Sequence, residues 1–512
     1  MLIVVSGIEQ SHRYAAEHII KLFFDAADVQ FKDAALSSST ETGVFLLLED
    51  GTTLHVPEPE YADGGAADEP DVDGKAHEPD GRKAQEHEDD GKARRRALSR
   101  ALVAELQRYT GIEQPWGILT GVRPTKLMHS QRRADVTGEG ALRELADEYG
   151  IASGKIRLLD TIVDRQLAAL PDLYTIGNEV SIYIGIPFCP TKCAYCTFPA
   201  YAINGRQGSV NSFLGGLHSE MEAVGRWLRE HGVGITTIYY GGGTPTSITA
   251  DEMDRLYEHM YNVFPGMERV REVTVEAGRP DTITPEKLEV LKRYHIDRIS
   301  INPQSYTQRT LTAIGRHHTV EETIEKYHLA RSMGMTNINM DLIIGLPGEG
   351  TAQFAHTLEE TAKLLPESLT VHTLSFKRAS EMTHNKEKYP VAGREEITRM
   401  MRMATDWCAD YGYNPYYLYR QKNILGNLEN VGYAKQDKES LYNIIIMEEM
   451  QSIIGLGCGA TSKWVDPRTG AISRFANPKE PKAYNDNYER CTTAKLQSLE
   501  DLFGSRERVG QV

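Results

Sequence analysis

Cysteine is scarce in this chain: six residues in 512, three of them crowded between positions 189 and 196. Thiols so few and so unevenly spread exclude the disulfide framework of a small secreted protein; clustered thiols in a reducing compartment point to metal. Long apolar runs are also missing. The longest, such as residues 44–48 and 444–447, fall well short of the roughly 18 to 20 residues needed to cross a bilayer. Residues 1–7 form a short β-branched run with neither a basic lead nor a small-residue cleavage site, so no secretory signal is read there and the expected compartment is the cytoplasm. Strongly basic stretches are absent outside residues 92–96, which disfavours nucleic acid as a partner. The net charge of −15 comes mostly from residues 58–91, whose 13 acidic and 3 basic side chains leave only about −5 for the rest of the chain.

What is present suffices for several packed cores, since 40% of the 512 residues are hydrophobic. Residues 1–57 read as a small α/β unit. Residues 58–91, rich in Asp, Glu, Gly, Ala and Pro, bury too little apolar surface to offset the entropy of ordering and are expected to be a disordered linker. Residues 92–172 read as a helical accessory region, with a loop over 117–126 between its helices. From there the pattern changes. Short β-branched runs at 180–186, 236–240, 270–276, 298–302, 337–344 and 369–376 alternate with amphipathic segments, which predicts parallel β/α units with right-handed crossovers. The expected fold is therefore α/β: a partial (β/α)6 barrel over 173–380, an N-terminal accessory α/β region, and an α-rich C-terminal part over 381–512. In such a barrel, function sits at the C-terminal ends of the strands.

The chemistry-bearing motifs fall at those ends. After the first barrel strand come Cys189, Cys193 and Cys196, a C-x3-C-x2-C spacing that lets three thiolates converge on one cluster. A 4Fe-4S cluster held by three cysteines keeps one iron open, and S-adenosylmethionine (SAM) can chelate it through its amino and carboxylate groups. One electron then cleaves the sulfonium and releases a 5′-deoxyadenosyl radical. A zinc site and unrelated core cysteines are the alternatives; zinc usually takes four ligands, and no fourth lies close in sequence. Cys408, Cys458 and Cys491 are isolated and read as buried small hydrophobes. After the second barrel strand, Gly241, Gly242 and Gly243 let backbone approach a ligand closely, although a tight βα turn uses the same residues.

Taken together, Tyr183 with the cysteine motif, the loop Gly241-Gly242-Gly243-Thr244-Pro245, Arg298-Ile299-Ser300-x3-Gln304 and Asp341-Leu342-Ile343-x-Gly345-Leu346-Pro347-Gly348 resemble the oxygen-independent coproporphyrinogen III oxidase family of radical SAM enzymes. The N-terminal Trp116-Gly117-Ile118-Leu119-Thr120-Gly121-Val122-Arg123-Pro124 and the later Tyr419-Arg420-Gln421-Lys422-Asn423 look like its HemZ branch. The resemblance implies oxidative decarboxylation of coproporphyrinogen III to protoporphyrinogen IX, with a one-electron donor such as flavodoxin or ferredoxin. It implies a 4Fe-4S cluster on Cys189, Cys193 and Cys196, and a cluster-bound SAM contacted by Tyr183, Gly242, Gly243 and Glu276. A second SAM is matched by Tyr195, Thr244, Gln304, Arg316 and Asp341; a capping or ion-pair role would use the same residue types at Arg316 and Asp341.

Two departures stand out. Phe198 occupies the position where the oxidases usually carry a fourth cysteine. Glu429-Asn430-Val431-Gly432-Tyr433-Ala434 stands where the haem-chaperone branch carries His-Asn-x-x-Tyr-Trp. The alternative functions are haem binding or transfer on the same barrel, and a radical reaction on another substrate such as methyl transfer. Four propionates call for fixed cations, for which Arg378, Arg420 and Lys422 are candidates alongside solvated surface roles. The five tyrosines of 411–419 could line a flat macrocycle or form an ordinary aromatic core. His317 and His318, being adjacent, point to different sides of the chain and lack partners at ligand spacing.

Overall fold

The computed structural model describes residues 1–24, 27–33, 42–58, 81–121, 123–134, 139–203, 209–377, 380–466 and 468–504, with 81–90, 139, 141 and 504 described by backbone alone. Most of the expected linker, residues 59–80, and the candidate Arg378 lie outside the described residues. The chain divides into two units, Met1–Asp160 and Thr161–Val512.

In the first unit, strands β1 (Leu2–Ser6), β2 (Asp28–Lys32), β3 (Gly43–Leu48) and β4 (Thr53–Pro57) form a sheet of order β2-β1-β3-β4. Between β1 and β2, helix α1 (Gln10–Phe23) buries Ala16, Ile19, Ile20 and Phe23, a spacing that aligns them on one helical face. Helix α2 (Gly81–Thr110) adds Leu98, Leu102, Val103 and Leu106 to the core that contains Ile3, Val5, Leu46 and Val56. This helix begins at Gly81, inside the acidic stretch read as linker. The residues that follow, Arg82, Lys83, Ala84, Gln85 and Glu86, are all strong helix formers, and local propensity explains the earlier start. Helices α3 (Thr125–Arg133), α4 (Glu139–Tyr149) and α5 (Ser153–Ala169) follow, α5 continuing into the second unit. Gly117 sits at φ +52°, and a Cβ there would stand 2.1 Å from the Tyr149 carbonyl oxygen, so the turn after Trp116 admits only glycine.

The second unit opens with β5 (Glu179–Ile186), the two-residue strands β6 (Phe188–Cys189) and β7 (Tyr201–Ala202), and α6 (Val210–Glu230). Then come β8 (Gly234–Gly242), α7 (Ala250–Val263), β9 (Glu272–Glu276), α8 (Pro285–Arg293), β10 (Arg298–Ser300), α9 (Gln308–Ala313), α10 (Val320–Ser332), β11 (Ile338–Ile344), α11 (Thr351–Leu364) and β12 (Ser368–Thr373). These are the six expected barrel strands, and they neighbour one another in chain order, all parallel. Their near-continuous burial is that of a parallel sheet covered on both faces. Hydroxyls cap the helices that follow the strands: Ser209, Thr249, Thr284 and Thr319 accept the first free backbone N–H groups of α6, α7, α8 and α10.

The C-terminal stretch supplies α12 (Glu381–His384), α13 (Arg394–Asp410), α14 (Leu441–Glu448), α15 (Pro481–Asn485) and α16 (Tyr488–Leu499). It also supplies strands β13 (Asn414–Tyr419), β14 (Asn430–Ala434), β15 (Ile453–Gly457), β16 (Thr461–Val465) and β17 (Ile472–Ala476). These extend the sheet at both edges, to the order β13-β14-β12-β11-β10-β9-β8-β5-β15-β16-β17. Two fully bonded polar knots fasten this addition to the barrel. Glu272 on β9 accepts from Ser440 Oγ (3.0 Å) and from the N–H groups of Leu441 (3.0 Å) and Tyr442 (3.2 Å) at the α14 N-terminus. Glu220 on α6 pairs with Lys495 on α16, both wholly buried, and also accepts from the Gly457 N–H (2.7 Å) and Tyr484 (2.8 Å). Among the described residues no helix is long and apolar enough to cross a membrane.

Candidate active site

A cavity of about 630 Å³ lies at the C-terminal ends of the parallel strands and reaches down into the barrel. All twelve site residues expected from the sequence line it.

Cys189 ends the short strand β6, which is tied to β7 by the pairs Phe188↔Tyr201 and Cys189↔Ala202. The rest of the cysteine loop is pinned by its own backbone. The Cys196 N–H donates to the Cys193 carbonyl (3.1 Å), and the Ala194 N–H to the Ile314 carbonyl (3.0 Å). Cys189 is buried, with Sγ 3.2 Å from Thr244 Oγ1, while Cys193 and Cys196 are half-buried. Burial pushes the Cys189 thiol up to about 11, with Cys196 and Cys193 nearby adding to the rise and Thr244 and Arg279 opposing it. Burial likewise raises Cys196. Among the described residues, no three His, Cys, Asp or Glu side chains gather at a site sized for a single metal ion.

The glycine loop packs backbone to backbone against the strand that feeds the cysteines. The Gly243 N–H donates to the Ile186 carbonyl and the Thr244 N–H to the Phe188 carbonyl, both at 2.8 Å. Gly242 adopts φ +107°, and a Cβ on Gly243 would come within 2.6 Å of the Phe188 oxygen. Here glycine is required by the close approach, and the turn is set around a ligand-sized space.

Glu276 closes β9 and accepts from the Tyr239 hydroxyl at 2.6 Å. Burial pushes its carboxyl up to about 7, against the Tyr239 hydrogen bond, with the charge of Asp341 adding to the rise. Tyr183 faces the same space, its ring 6.1 Å from that of Tyr239 and 6.3 Å from that of Tyr442. Across the cavity, Arg316 donates through Nη1 to the carbonyls of Gly278 and Asn302 (both 3.0 Å) and through Nη2 to Tyr195 Oη (3.3 Å). Asp341 accepts from Asn302 Nδ2 (2.8 Å) and Asn339 Nδ2 (2.9 Å), and His372 Nε2 stands 3.6 Å away. Burial works to raise the Asp341 carboxyl, but His372 beside it, with the hydrogen-bonding Asn339 and with Thr370, holds it below the ordinary range. Gln304 is held at φ +65° between the Asp341 carbonyl and the Ile343 N–H, an uncommon backbone for a non-glycine residue. The buried Gln304 Oε1, Asn302 Oδ1, Ser300 Oγ and Arg316 Nε have no hydrogen-bond partner. Buried polar atoms of this kind are rare in a finished core and mark a surface built to meet a ligand.

Residues that sequence reasoning passed over also line the cavity: Arg279, His372, Lys377, Tyr239, Tyr442 and Cys458. Of these, only Tyr239 carried a signal, two residues ahead of the glycine run; His372 is one of four polar residues among the six of β12. Cys458 is buried as expected of a small hydrophobe, yet it faces the site. The tyrosine-rich stretch splits: Tyr417 and Tyr419 line the cavity, Tyr413 and Tyr416 are core, and Tyr411 is exposed. Arg420 is buried against Asn427 and Lys422 is exposed, and neither lines the cavity. His317 is exposed, whereas His318 is buried with both ring nitrogens unpartnered and is held at about 3 by burial and the nearby Arg316 charge.

The Radical SAM superfamily model matches residues 183–361, from the middle of β5 into α11. Barrel, cysteine loop and family model together define a radical SAM protein, a class that implies a 4Fe-4S cluster and S-adenosylmethionine. The chain is 67% identical over 398 residues, 78% of its length and 79% of the relative's, to the oxygen-independent coproporphyrinogen-III oxidase-like protein HemZ of Bacillus subtilis strain 168. It belongs to this oxygen-independent coproporphyrinogen-III oxidase-like family. Identity falls to 28% over 338 residues, 64% of this chain and 84% of the relative, for the heme chaperone HemW of the same strain. Among solved structures, the coproporphyrinogen III oxidase HemN of Escherichia coli, described as a radical SAM enzyme, shares the fold with a TM-score of 0.51 and 22% identity over 63% of this chain and 72% of that one.

Proposed function

We propose that this protein catalyses the oxygen-independent oxidative decarboxylation of coproporphyrinogen III to protoporphyrinogen IX. The observation that carries the reading is the meeting of three thiols, a glycine cradle and unpartnered polar side chains on one cavity at the strand ends. The donor set suits an iron–sulfur cluster. Three soft thiols line one cavity, and a four-iron cluster held by three thiolates keeps its fourth iron open. In this reading Cys189, Cys193 and Cys196 hold the cluster, while Tyr183, Gly242, Gly243 and Glu276 contact the SAM on its open iron. Tyr195, Thr244, Gln304, Arg316 and Asp341 hold a second SAM. When bound, cluster and SAM would supply the radical that takes a hydrogen from a propionate β-carbon; loss of carbon dioxide, with one electron passing to a one-electron acceptor, would leave a vinyl group, and two such rounds would give protoporphyrinogen IX.

The chain's own residues bind and orient. The glycine loop lets backbone meet the ligand without side-chain interference, and the carboxylates at the strand ends receive ammonium or hydroxyl groups. Tyr183, Tyr239 and Tyr442 stack into an aromatic wall of the cavity. A one-electron donor such as flavodoxin or ferredoxin would supply the electron the cluster needs. The test is an anaerobic assay with reductant, SAM and coproporphyrinogen III that follows 5′-deoxyadenosine and vinyl porphyrin products together. Both products are expected. Deoxyadenosine without a vinyl product overturns the substrate assignment, and absence of both overturns the radical reading.

A further inference from the structure

Arg279 has a position that substrate and SAM binding leave unexplained. It follows β9 by three residues, is only 3% exposed, and spends its guanidinium in two directions. Nε and Nη2 form a bidentate pair with Asp281 at 3.0 and 2.9 Å. Nη1 turns the other way, to the Thr191 carbonyl (3.3 Å), to Thr191 Oγ1 (3.1 Å) and to Cys193 Sγ (3.8 Å). The loop itself is braced, since Thr282 donates to the Arg279 carbonyl through N–H (3.0 Å) and Oγ1 (2.7 Å). The guanidinium is thus a fixed fork with one tine on a carboxylate and the other on the middle cysteine of the motif.

We infer that Arg279 is a positioning residue that acts through Cys193 to set the reduction potential of the cluster, with Asp281 as its counterweight. The inference rests on the reading that Cys193 ligates the cluster. An N–H donor to a ligand sulfur draws electron density from it, and adding an electron to the cluster then becomes easier; hydrogen bonds to the sulfurs and nearby charge are the protein's means of setting such potentials. The carboxylate of Asp281 works against this by neutralising most of the guanidinium charge. The two residues therefore act with opposite sign. A loop brace alone would not do so, because loosening the loop from either end would disturb the cluster in the same way.

The experiment uses the full chain, anaerobically reconstituted, with iron content measured first and the cluster then titrated by electron paramagnetic resonance against redox dyes. Arg279→Gln is expected to keep its iron and make the reduced cluster about tenfold less favourable, equivalent to a negative shift of about 59 mV for one electron. Asp281→Asn is expected to shift the potential the other way, and Arg279→Lys, which keeps charge but loses the fork, to fall between Gln and wild type. Full iron with unmoved potentials, or shifts of the same sign in Gln and Asn, overturns the inference. Should Arg279→Gln load less iron, the sign of the Asp281→Asn shift decides alone. Failure of the wild type to hold iron is a different result, and it sinks the cluster reading instead.

Discussion

Replacing Glu276 with Gln separates the cost of a buried carboxylate from its use. In the ligand-free protein, burial lifts this carboxyl from the ordinary 4.5 to about 7. At 1.36 kcal/mol per pH unit, that difference amounts to at most roughly 3 kcal/mol of stability. The sign follows from the direction of the shift. Glu276 does no harm below pH 4.5, where it is neutral in both folded and unfolded chains, and the destabilisation grows as pH rises from there to about 7. Glu276→Gln keeps an acceptor for the Tyr239 hydroxyl and cannot ionise, so the variant should match wild type in urea unfolding below pH 4.5, lead it by roughly 1 kcal/mol at pH 5 and exceed it by up to about 3 kcal/mol at pH 8. Ligand binding should reverse the ranking. SAM carries a sulfonium, and its iron-bound amino group still presents N–H donors; both favour the ionised carboxylate, so wild-type affinity, measured by equilibrium dialysis on reconstituted protein, should rise roughly tenfold from pH 6 to pH 8. The profile of Glu276→Gln should be flat and lie below that of wild type at pH 8. A tenfold rise that survives in the variant, or a wild-type profile already flat, refutes the assignment of Glu276 to the ligand.

Three further changes test other layers of the structure. Cys193→Ser should lose most of the iron and the cluster absorbance on anaerobic reconstitution, and iron equal to wild type would remove Cys193 from the ligand set. Gly243→Ala places a methyl 2.6 Å from the Phe188 oxygen, so it should weaken SAM binding at least tenfold while far-ultraviolet circular dichroism stays unchanged. Lys495→Met strands Glu220 without its counter-ion in a site with no solvent exposure and should cost roughly 3 to 5 kcal/mol in denaturant unfolding, whereas the double variant with Glu220→Leu should recover part of the loss.

How far the sequence reached can be judged element by element. All six barrel strands stand within a few residues of where their β-branched runs placed them, because each run alternates with an amphipathic helix and that alternation is local in sequence. The cysteine loop and the glycine turn were legible for the same reason: their spacing is local. What escaped was non-local. Strands β13 to β17 pair with partners far away in sequence, and short runs such as Ile453–Gly457 have no periodicity that separates strand from helix. Arg279, Lys377 and Cys458 reach the cavity only through loop geometry, and no motif marks them. The candidate cations could not be assigned for the same reason: a basic residue in a sequence says nothing about direction, and of the two described, Lys422 is exposed and Arg420 turns inward to Asn427.

The distribution of satisfied and unsatisfied polar groups divides the barrel into a structural and a working half. Toward the N-terminal ends of the strands, buried charges are matched. Arg298 on β10 donates to the Lys438 carbonyl (2.9 Å), Asn339 (3.1 Å) and Ser368 (2.6 Å), while Glu272 at the start of β9 spends its oxygens on the α14 N-terminus. Toward the C-terminal ends, Ser300, Asn302, Gln304 and Arg316 each keep one polar atom unpaired in a buried wall. Each unpaired group costs on the order of 1–3 kcal/mol when nothing meets it, an expense a purely structural layer would shed by substitution to apolar residues. The matched layer meets that expense in advance by locking the sheet, so the strand ends hold their shape with their hydrogen-bonding capacity still open. A ligand that satisfies those atoms recovers the desolvation already spent, and binding should therefore raise thermal stability more than the apolar area it covers would predict.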